Sequence, residues 1–340
     1  MKTWQKVDYS LRLKKDCISK KGSFIRKELT ILKKASYAVL ALLMFISISG
    51  CRQDEQKTIV LEQVKPKVAE NNPNVKHIRI AVGGMITPKE GVAYYKQFLE
   101  YVQEKLGVKV DYVDKQAYGE VNEMLRTKQL DAAFVCSGPY VDGHEQFNLE
   151  LLAAPQAYGE TVYYSYIIVP KDSPFHSFSG LRGREFAFTD PLSNSGKLVP
   201  TYMLAKMNET PESFFSSFIF TKSHDKAIKA VAQGIVDAAA VDSLIWEYLN
   251  KINPEFTSKT RIIEKSPPYA IPPVVVHRDL DPELKKQLQQ IFLNAHTDPK
   301  GRELLNKMMI DKFVLINDSA YDSVRGMKSW LEGHHAEKKD

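Results

Sequence analysis

A chain of 340 residues is long enough for about two domains at roughly 150 residues each. With 44% hydrophobic and 26% charged residues it has soluble-globular composition, which excludes a wholly disordered or fully membrane-embedded chain. The formal charge of +6 invites a nucleic-acid reading, but residues 1–50 hold 11 Lys and Arg against 3 Asp and Glu, and the other 290 residues carry a net −2. The basicity belongs to the leader, and with it goes the case for a phosphate-backbone binder.

In that leader, Lys33 and Lys34 precede an apolar run from Ala35 to Ile48, at ~14 residues too short for a bilayer span of about 20. A positive segment, a short apolar segment and small residues before a cut describe a secretory signal. Ile48-Ser49-Gly50-Cys51 resembles a bacterial lipobox, in which the Cys becomes the lipidated first residue of the mature chain. Residues 1–28 are charged and patternless, and the expected start of translation lies near Leu29. Cys17 lies upstream of the cut and Cys51 carries lipid, so Cys136 is the one free thiol expected and no intramolecular disulfide can form.

Residues 51–76 are polar, contain two prolines and read as a tether. From His77 strands and helices alternate: HIRIAVGG strand, VAYYKQFLEYVQEKLG helix, VKVDYV strand, YGEVNEMLRTKQ helix, DAAFVCS buried strand, PYVDGHEQ helical turn. LELLAAPQ and TVYYSYIIVP are longer strands. After KDSPFHSFSGLRG the alternation restarts with REFAFTD, SGKLVPTYMLAKMN, FIFTKS, HDKAIKAVAQG, VDAAAVDS, LIWEYLN and RIIEKS; PYAIPPVVVHR returns as a strand and helices close the chain. The alternation predicts parallel sheets covered by helices on both faces. LDAAFVCS (130–137) echoes VDAAAVDS (236–243), which makes Cys136 and Asp242 counterparts in two similar lobes. The expected organisation is a first lobe over 77–168, with 270–330 returning to it, a second over 169–269, and a polar tail at 331–340, hinged on two long strands.

In open α/β sheets ligands sit beyond the carboxyl ends of the strands, where helix N-termini face the crevice. Ser193, Asn194 and Ser195 open the helix after REFAFTD; they read either as plain capping residues or as an anion cradle of hydroxyls, amide and backbone N–H groups. Ser195-Gly196-Lys197 is not a P-loop, because Pro191 stands where the first glycine belongs and Leu198 replaces the Ser or Thr. His224 starts another helix of that half, where a lone His is more often a surface or capping residue. Tyr118 and Tyr140 stand at helix starts of the first half, where aromatics more often pack. Cys136 with His144 or His224 carries no local signature of a thiol nucleophile, metal-ligand spacing is absent, and His334-His335 lies in a charged tail.

Taken in order, the Tyr118 turn, DAAF–SGPY, YYSYIIVPKDSP, FTDPLSNSG, KSHDKAIKAVAQG and VDAAAVDS resemble the phosphate/phosphite/phosphonate-binding family of ABC-transporter periplasmic substrate-binding proteins, over about 77–330. The resemblance implies a type II periplasmic-binding fold, two α/β lobes on a two-strand hinge, closing on a small oxyanion. It implies that Ser193, Asn194 and Ser195 clamp the anion, His224 donates to it, Asp242 accepts from a ligand hydroxyl, and Tyr118 and Tyr140 approach from the first lobe. It also implies a non-enzymatic, exported, membrane-anchored monomer without a cofactor, working with an ABC permease and ATPase. Two departures stand out: the family reads Ser-Thr-Ser where this chain has Ser-Asn-Ser, and a bulky residue where it has Cys136. Wider relatives with a pocket cysteine are associated with arsenite sensing, so the alternative is a binding protein presenting a thiophilic oxyanion to a membrane kinase. The physical logic is independent: charge-assisted hydrogen bonds of roughly 1.5–3 kcal/mol each hold a buried anion. No basic cluster lies in these motifs except Lys197 and Lys222, so dipoles rather than salt bridges are expected to hold it, and Asp242 fits only a protonated ligand oxygen.

Overall fold

A computed structural model describes residues 77–83, 89–115 and 117–337; the leader, the lipobox with Cys51 and the tether lie outside the described residues. Among the described residues no helix is long and apolar enough to cross a membrane. In chain order the elements are β1 (His77–Val82), α1 (Lys89–Leu106), β2 (Lys109–Asp114), α2 (Tyr118–Arg126), β3 (Ala132–Phe134), α3 (Ser137–Phe147), β4 (Glu150–Gln156), β5 (Val162–Tyr163), β6 (Ser165–Pro170) and β7 (Glu185–Phe188). A π-helical turn (Asn194–Leu198) then leads into α4 (Val199–Lys206), followed by α5 (Pro211–Phe214), β8 (Ser217–Phe220), α6 (His224–Ala232), β9 (Ala238–Asp242), α7 (Ser243–Ile252) and β10 (Thr260–Lys265). The chain ends through β11 (Tyr269–Ala270), β12 (Val274–Val276), α8 (Pro282–Asn294), α9 (Pro299–Lys307), β13 (Lys312–Val314) and α10 (Asp322–Glu337).

The strands form two open sheets, ordered β13-β4-β12-β3-β1-β2 and β10-β6-β9-β7-β8, with β5 and β11 pairing between them as a two-stranded crossover. This is the two-lobed α/β fold that the helix–strand alternation implies. Apart from β13 the two orders are the same, β4-β12-β3-β1-β2 against β10-β6-β9-β7-β8, so the eight-residue echo reflects equivalent central strands, β3 and β9. The sheets are mixed rather than parallel. Only β2-β1-β3 and β8-β7-β9 run parallel; β12 and β6 lie antiparallel to β3 and β9. The reason is connectivity: β6 and β12 enter their sheets from the crossover, without the helix that a parallel connection requires.

The helices cover these sheets with stripes at three- and four-residue spacing, such as His224, Ala227, Ile228 and Val231 of α6. Interlocked rings fill each lobe: Phe98, Phe134, Phe292 and Phe313 in the first, Phe178, Phe186, Phe188, Phe214 and Phe215 in the second. Four local features differ from expectation. TVYYSYIIVP breaks at Tyr164 into β5 and β6, and PYAIPPVVVHR breaks between β11 and β12, where Pro272 and Pro273 supply no ladder N–H. Lys312–Val314 is a strand that was not expected. The segment after residue 330, expected as a polar tail, continues α10 to Glu337, with Leu331 buried.

Candidate functional site

The second lobe builds the cradle. Ser193 caps the π-helical turn, its Oγ accepting the Gly196 N–H at 3.0 Å. The Val199 N–H returns to the Asn194 carbonyl five residues back, a widened turn of the kind that recurs at functional sites. Gly196 is obligatory: a Cβ there would fall 1.8 Å from Thr189 Oγ1. β6 braces the turn from behind, Ser165 Oγ donating to the Ser195 carbonyl at 2.6 Å. The Asn194 amide donates to Tyr163 Oη at 3.0 Å. Ser193, Asn194 and Ser195 are completely buried. Lys197 turns away from them, its Nζ 4.1 Å from the centre of the Phe188 ring, and burial lowers its pKa.

At the next helix start the Asp242 N–H donates to His224 Nδ1 at 2.9 Å. That bond fixes the tautomer, because an accepting Nδ1 leaves the ring proton on Nε2. Burial depresses the His224 pKa to about 4, so the ring is neutral at physiological pH and presents an uncharged donor. Asp242 caps α7, Oδ1 accepting the Leu244 N–H at 2.7 Å. Burial raises its carboxyl pKa to about 7, against the opposing hydrogen bonds from the α7 backbone.

From the first lobe come Tyr118 and Cys136. Tyr118 opens α2 and is buried; burial and the nearby Cys136, Asp242 and Asp190 all push its phenol pKa up. Cys136 occupies the N-cap position of α3, as Asp242 does that of α7, so the echoed positions are structural counterparts. Its sulfur lies 3.7 Å from Tyr163 Oη. Burial raises the thiol pKa and outweighs the Asn194, Gly138 and Tyr163 hydrogen bonds that favour the thiolate, so Cys136 stays a neutral thiol. Tyr140 does not join them. Its hydroxyl donates to Asp318 Oδ1 at 2.8 Å and its ring packs on Tyr321 at 4.6 Å, one turn into α3 and toward the segment before α10.

Five of the eight nominated residues carry a buried side-chain polar atom with no partner in the protein: Tyr118 Oη, Asn194 Oδ1, Ser195 Oγ, His224 Nε2 and Asp242 Oδ2. Buried polar atoms are almost always paired, so such a cluster marks where something else supplies the partners. It offers three groups able to donate and a neutral-leaning carboxyl, with no cation among them. Beside Asp242 an apolar cavity of about 60 Å³ opens, lined from the first lobe by Tyr95 and Phe134 and from the second by Ile245; of the nominated residues only Asp242 reaches it.

Sequence reasoning missed Tyr163, Ser165 and Thr189, whose Oγ1 is also buried and unpartnered. The signal was available in TVYYSY: Tyr163 and Ser165 are two apart in nearly continuous extended chain, and both reach the cradle.

A model of the family described as "ABC transporter, phosphonate, periplasmic substrate-binding protein" matches residues 80–321. The phosphonates-binding periplasmic protein of Escherichia coli (strain K12) is 28% identical over 216 residues, 62% of this chain and 64% of its own length. The chain thus spans a little under two thirds of that relative. Among solved structures, a binding protein component of an ABC phosphonate transporter from Pseudomonas aeruginosa superimposes with a TM-score of 0.73 at 24% identity, covering 77% of this chain and 88% of that one. PhnD1 from Prochlorococcus marinus (MIT 9301), in complex with methylphosphonate, gives 0.69 at 23% identity, covering 76% and 99%.

Proposed function

Because the chain belongs to the family of periplasmic phosphonate-binding proteins of ABC transporters, we propose that it captures a small phosphorus oxyanion (phosphonate, phosphite or phosphate) outside the cytoplasmic membrane for an ABC permease and ATPase. The observation that carries this reading is the cluster of five unpartnered buried polar atoms contributed by both lobes. The anion sits on the Ser193–Ser195 turn. Ser193 keeps its hydroxyl proton to donate, since its oxygen only accepts from Gly196. Ser195 Oγ, His224 Nε2–H and Tyr118 Oη donate to the remaining oxygens, and Asp242 shares a proton with one of them. Without a cation the site holds its ligand by neutral donors and the polarity of the turn. The cavity beside Asp242 takes a small substituent on phosphorus. Tyr140 has no part in this arrangement, and Cys136 acts as a small buried thiol.

The test is calorimetric titration of the purified domain with methylphosphonate, phosphite, phosphate, sulfate and arsenite, on the wild type and on Cys136→Ser. A phosphorus oxyanion should bind both proteins with affinities within about tenfold, roughly 1.4 kcal/mol. Binding of arsenite alone, lost in Cys136→Ser, overturns the reading.

Lipid attachment at Cys51 tethers the domain to the membrane in this proposal, on the order Lys33-Lys34, apolar run, Ile48-Ser49-Gly50-Cys51. Cys51→Ala should move the protein from the membrane fraction to the soluble one or block its maturation. Unchanged fractionation with membranes counts against the anchor.

A further inference from the structure

One buried carboxylate outside the nominated set spans the two lobes. Asp190 follows β7 and is 6% exposed. Its Oδ1 accepts the Leu192 N–H at 2.8 Å, and the Ser193 N–H returns to its carbonyl at 3.0 Å, which folds the turn leading into the cradle. Its Oδ2 reaches the other lobe and accepts the Tyr118 N–H at 3.3 Å.

Tyr118 is the first residue of α2, a helix of nine residues whose N-cap is Ala117. Alanine has no side-chain oxygen, so α2 lacks a cap of its own, and caps from Ser, Thr, Asp or Asn are the usual remedy. Here the remedy comes from the opposite lobe. The packing around it fits close contact at this point. Leu192 Cδ1 would lie 3.6 Å from a Cβ at Gly119, the second residue of α2. A Cβ at Gly138, the second residue of α3, would fall 2.5 Å from the Leu192 carbonyl oxygen. A side chain at Gly119 would only touch the loop, but Gly138 is required for the 190–193 loop to press this closely on α3, and that packing sets the Asp190 carboxylate against the start of α2.

We propose that Asp190 is a positioning residue that caps α2 in trans, fastening the loop that carries the anion cradle to the helix that carries Tyr118. The inference rests on the oxyanion-binding reading above. Capture and lobe contact then become coupled. An anion on Ser193–Ser195 holds the loop in place, the loop presents Asp190, and Asp190 secures α2 with Tyr118 over the anion. Because the protein's own carboxylate fills the α2 N-terminus, the ligand is left to the second-lobe turn. A bond made only across the cleft governs how long the lobes stay together, so its loss should appear in the dissociation rate.

Asp190→Asn retains volume and an oxygen for the Leu192 N–H, but sets an NH2 group against the Tyr118 N–H. Asp190→Ser keeps a hydroxyl for the local turn and is too short to cross. With methylphosphonate and phosphite as probes in stopped-flow measurements, both variants should dissociate about tenfold faster with association within threefold of wild type. The Tyr118 amide in the ligand-bound state should exchange with solvent about tenfold faster or more. Melting of the ligand-free variants provides the fold control. Unchanged dissociation with the Tyr118 amide still protected in both variants overturns the proposal. So does slower association with unchanged dissociation, which would mean that Asp190 only shapes the cradle. If the wild type binds neither probe, the oxyanion reading is what fails. Tyr118 amide exchange in the ligand-free wild type and variants then still decides the cap, faster exchange in both variants supporting it and equal exchange overturning it.

Discussion

Replacing Ser195 and His224 together by alanine is expected to weaken methylphosphonate binding by about a hundredfold or more in calorimetric titration. Each residue contributes a buried donor without a partner in the protein, Ser195 Oγ and His224 Nε2. A hydrogen bond to a charged group contributes roughly 1.5–3 kcal/mol, and each 1.4 kcal/mol is about tenfold in affinity. The two losses will not add perfectly, since both groups meet one ligand. Stability should divide differently between the single variants. Ser195→Ala removes a buried hydroxyl that bonds nothing in the protein, so melting of the ligand-free form should stay level or rise. His224→Ala strips the acceptor from the buried Asp242 N–H and should lower it. Affinity unchanged in the double variant would place the anion elsewhere.

These two residues could be nominated from the sequence because helix starts after strands are local features. A cap residue, a β-rich run before it and an amphipathic stripe after it all lie within a dozen positions, and Ser193, His224 and Asp242 each stand at such a junction. The echo of 130–137 in 236–243 carried further, since it reflects two sheets of the same strand order. Tyr140 stands apart from the cluster because of distance along a helix. Cys136 stands at the N-cap of α3, while Tyr140, four residues on, is carried a turn along the helix to meet Asp318. Asp190 was illegible for a different reason. Its meaning comes from a partner 72 residues away, the Tyr118 N–H, and no local pattern encodes a contact between lobes. The sheet directions belong with it, because a strand's direction follows from where the chain enters the sheet rather than from its residues.

Asp242→Asn is expected to change the pH dependence of both binding and stability, in directions that its environment sets. Burial holds the Asp242 pKa at about 7, and Oδ1 is committed to the Leu244 N–H, so the titrating proton belongs to Oδ2. In the proposed complex that proton lies, below about pH 7, between Oδ2 and a ligand oxygen, whichever carries it formally. Above the pKa values of both carboxyl and ligand, binding must take up a proton, and affinity should fall toward tenfold per pH unit. The amide of Asp242→Asn brings its own donor to an ionised oxygen, so the profile should flatten. In the ligand-free protein the carboxyl pKa is raised on folding, so the stability present below the unfolded value is lost as pH rises through about 7, with a ceiling of roughly 4 kcal/mol. His224, depressed to about 4, acts in the opposite sense and costs stability as pH falls from the ordinary histidine range toward 4. Asparagine caps a helix as well as aspartate does, so α7 loses nothing. Thermal melts should therefore show Asp242→Asn above wild type at pH 8 and level with it near pH 4, where the acid-side loss from His224 persists in both. A variant no more stable than wild type at pH 8, with an affinity that still falls with pH, would assign the proton to the ligand alone.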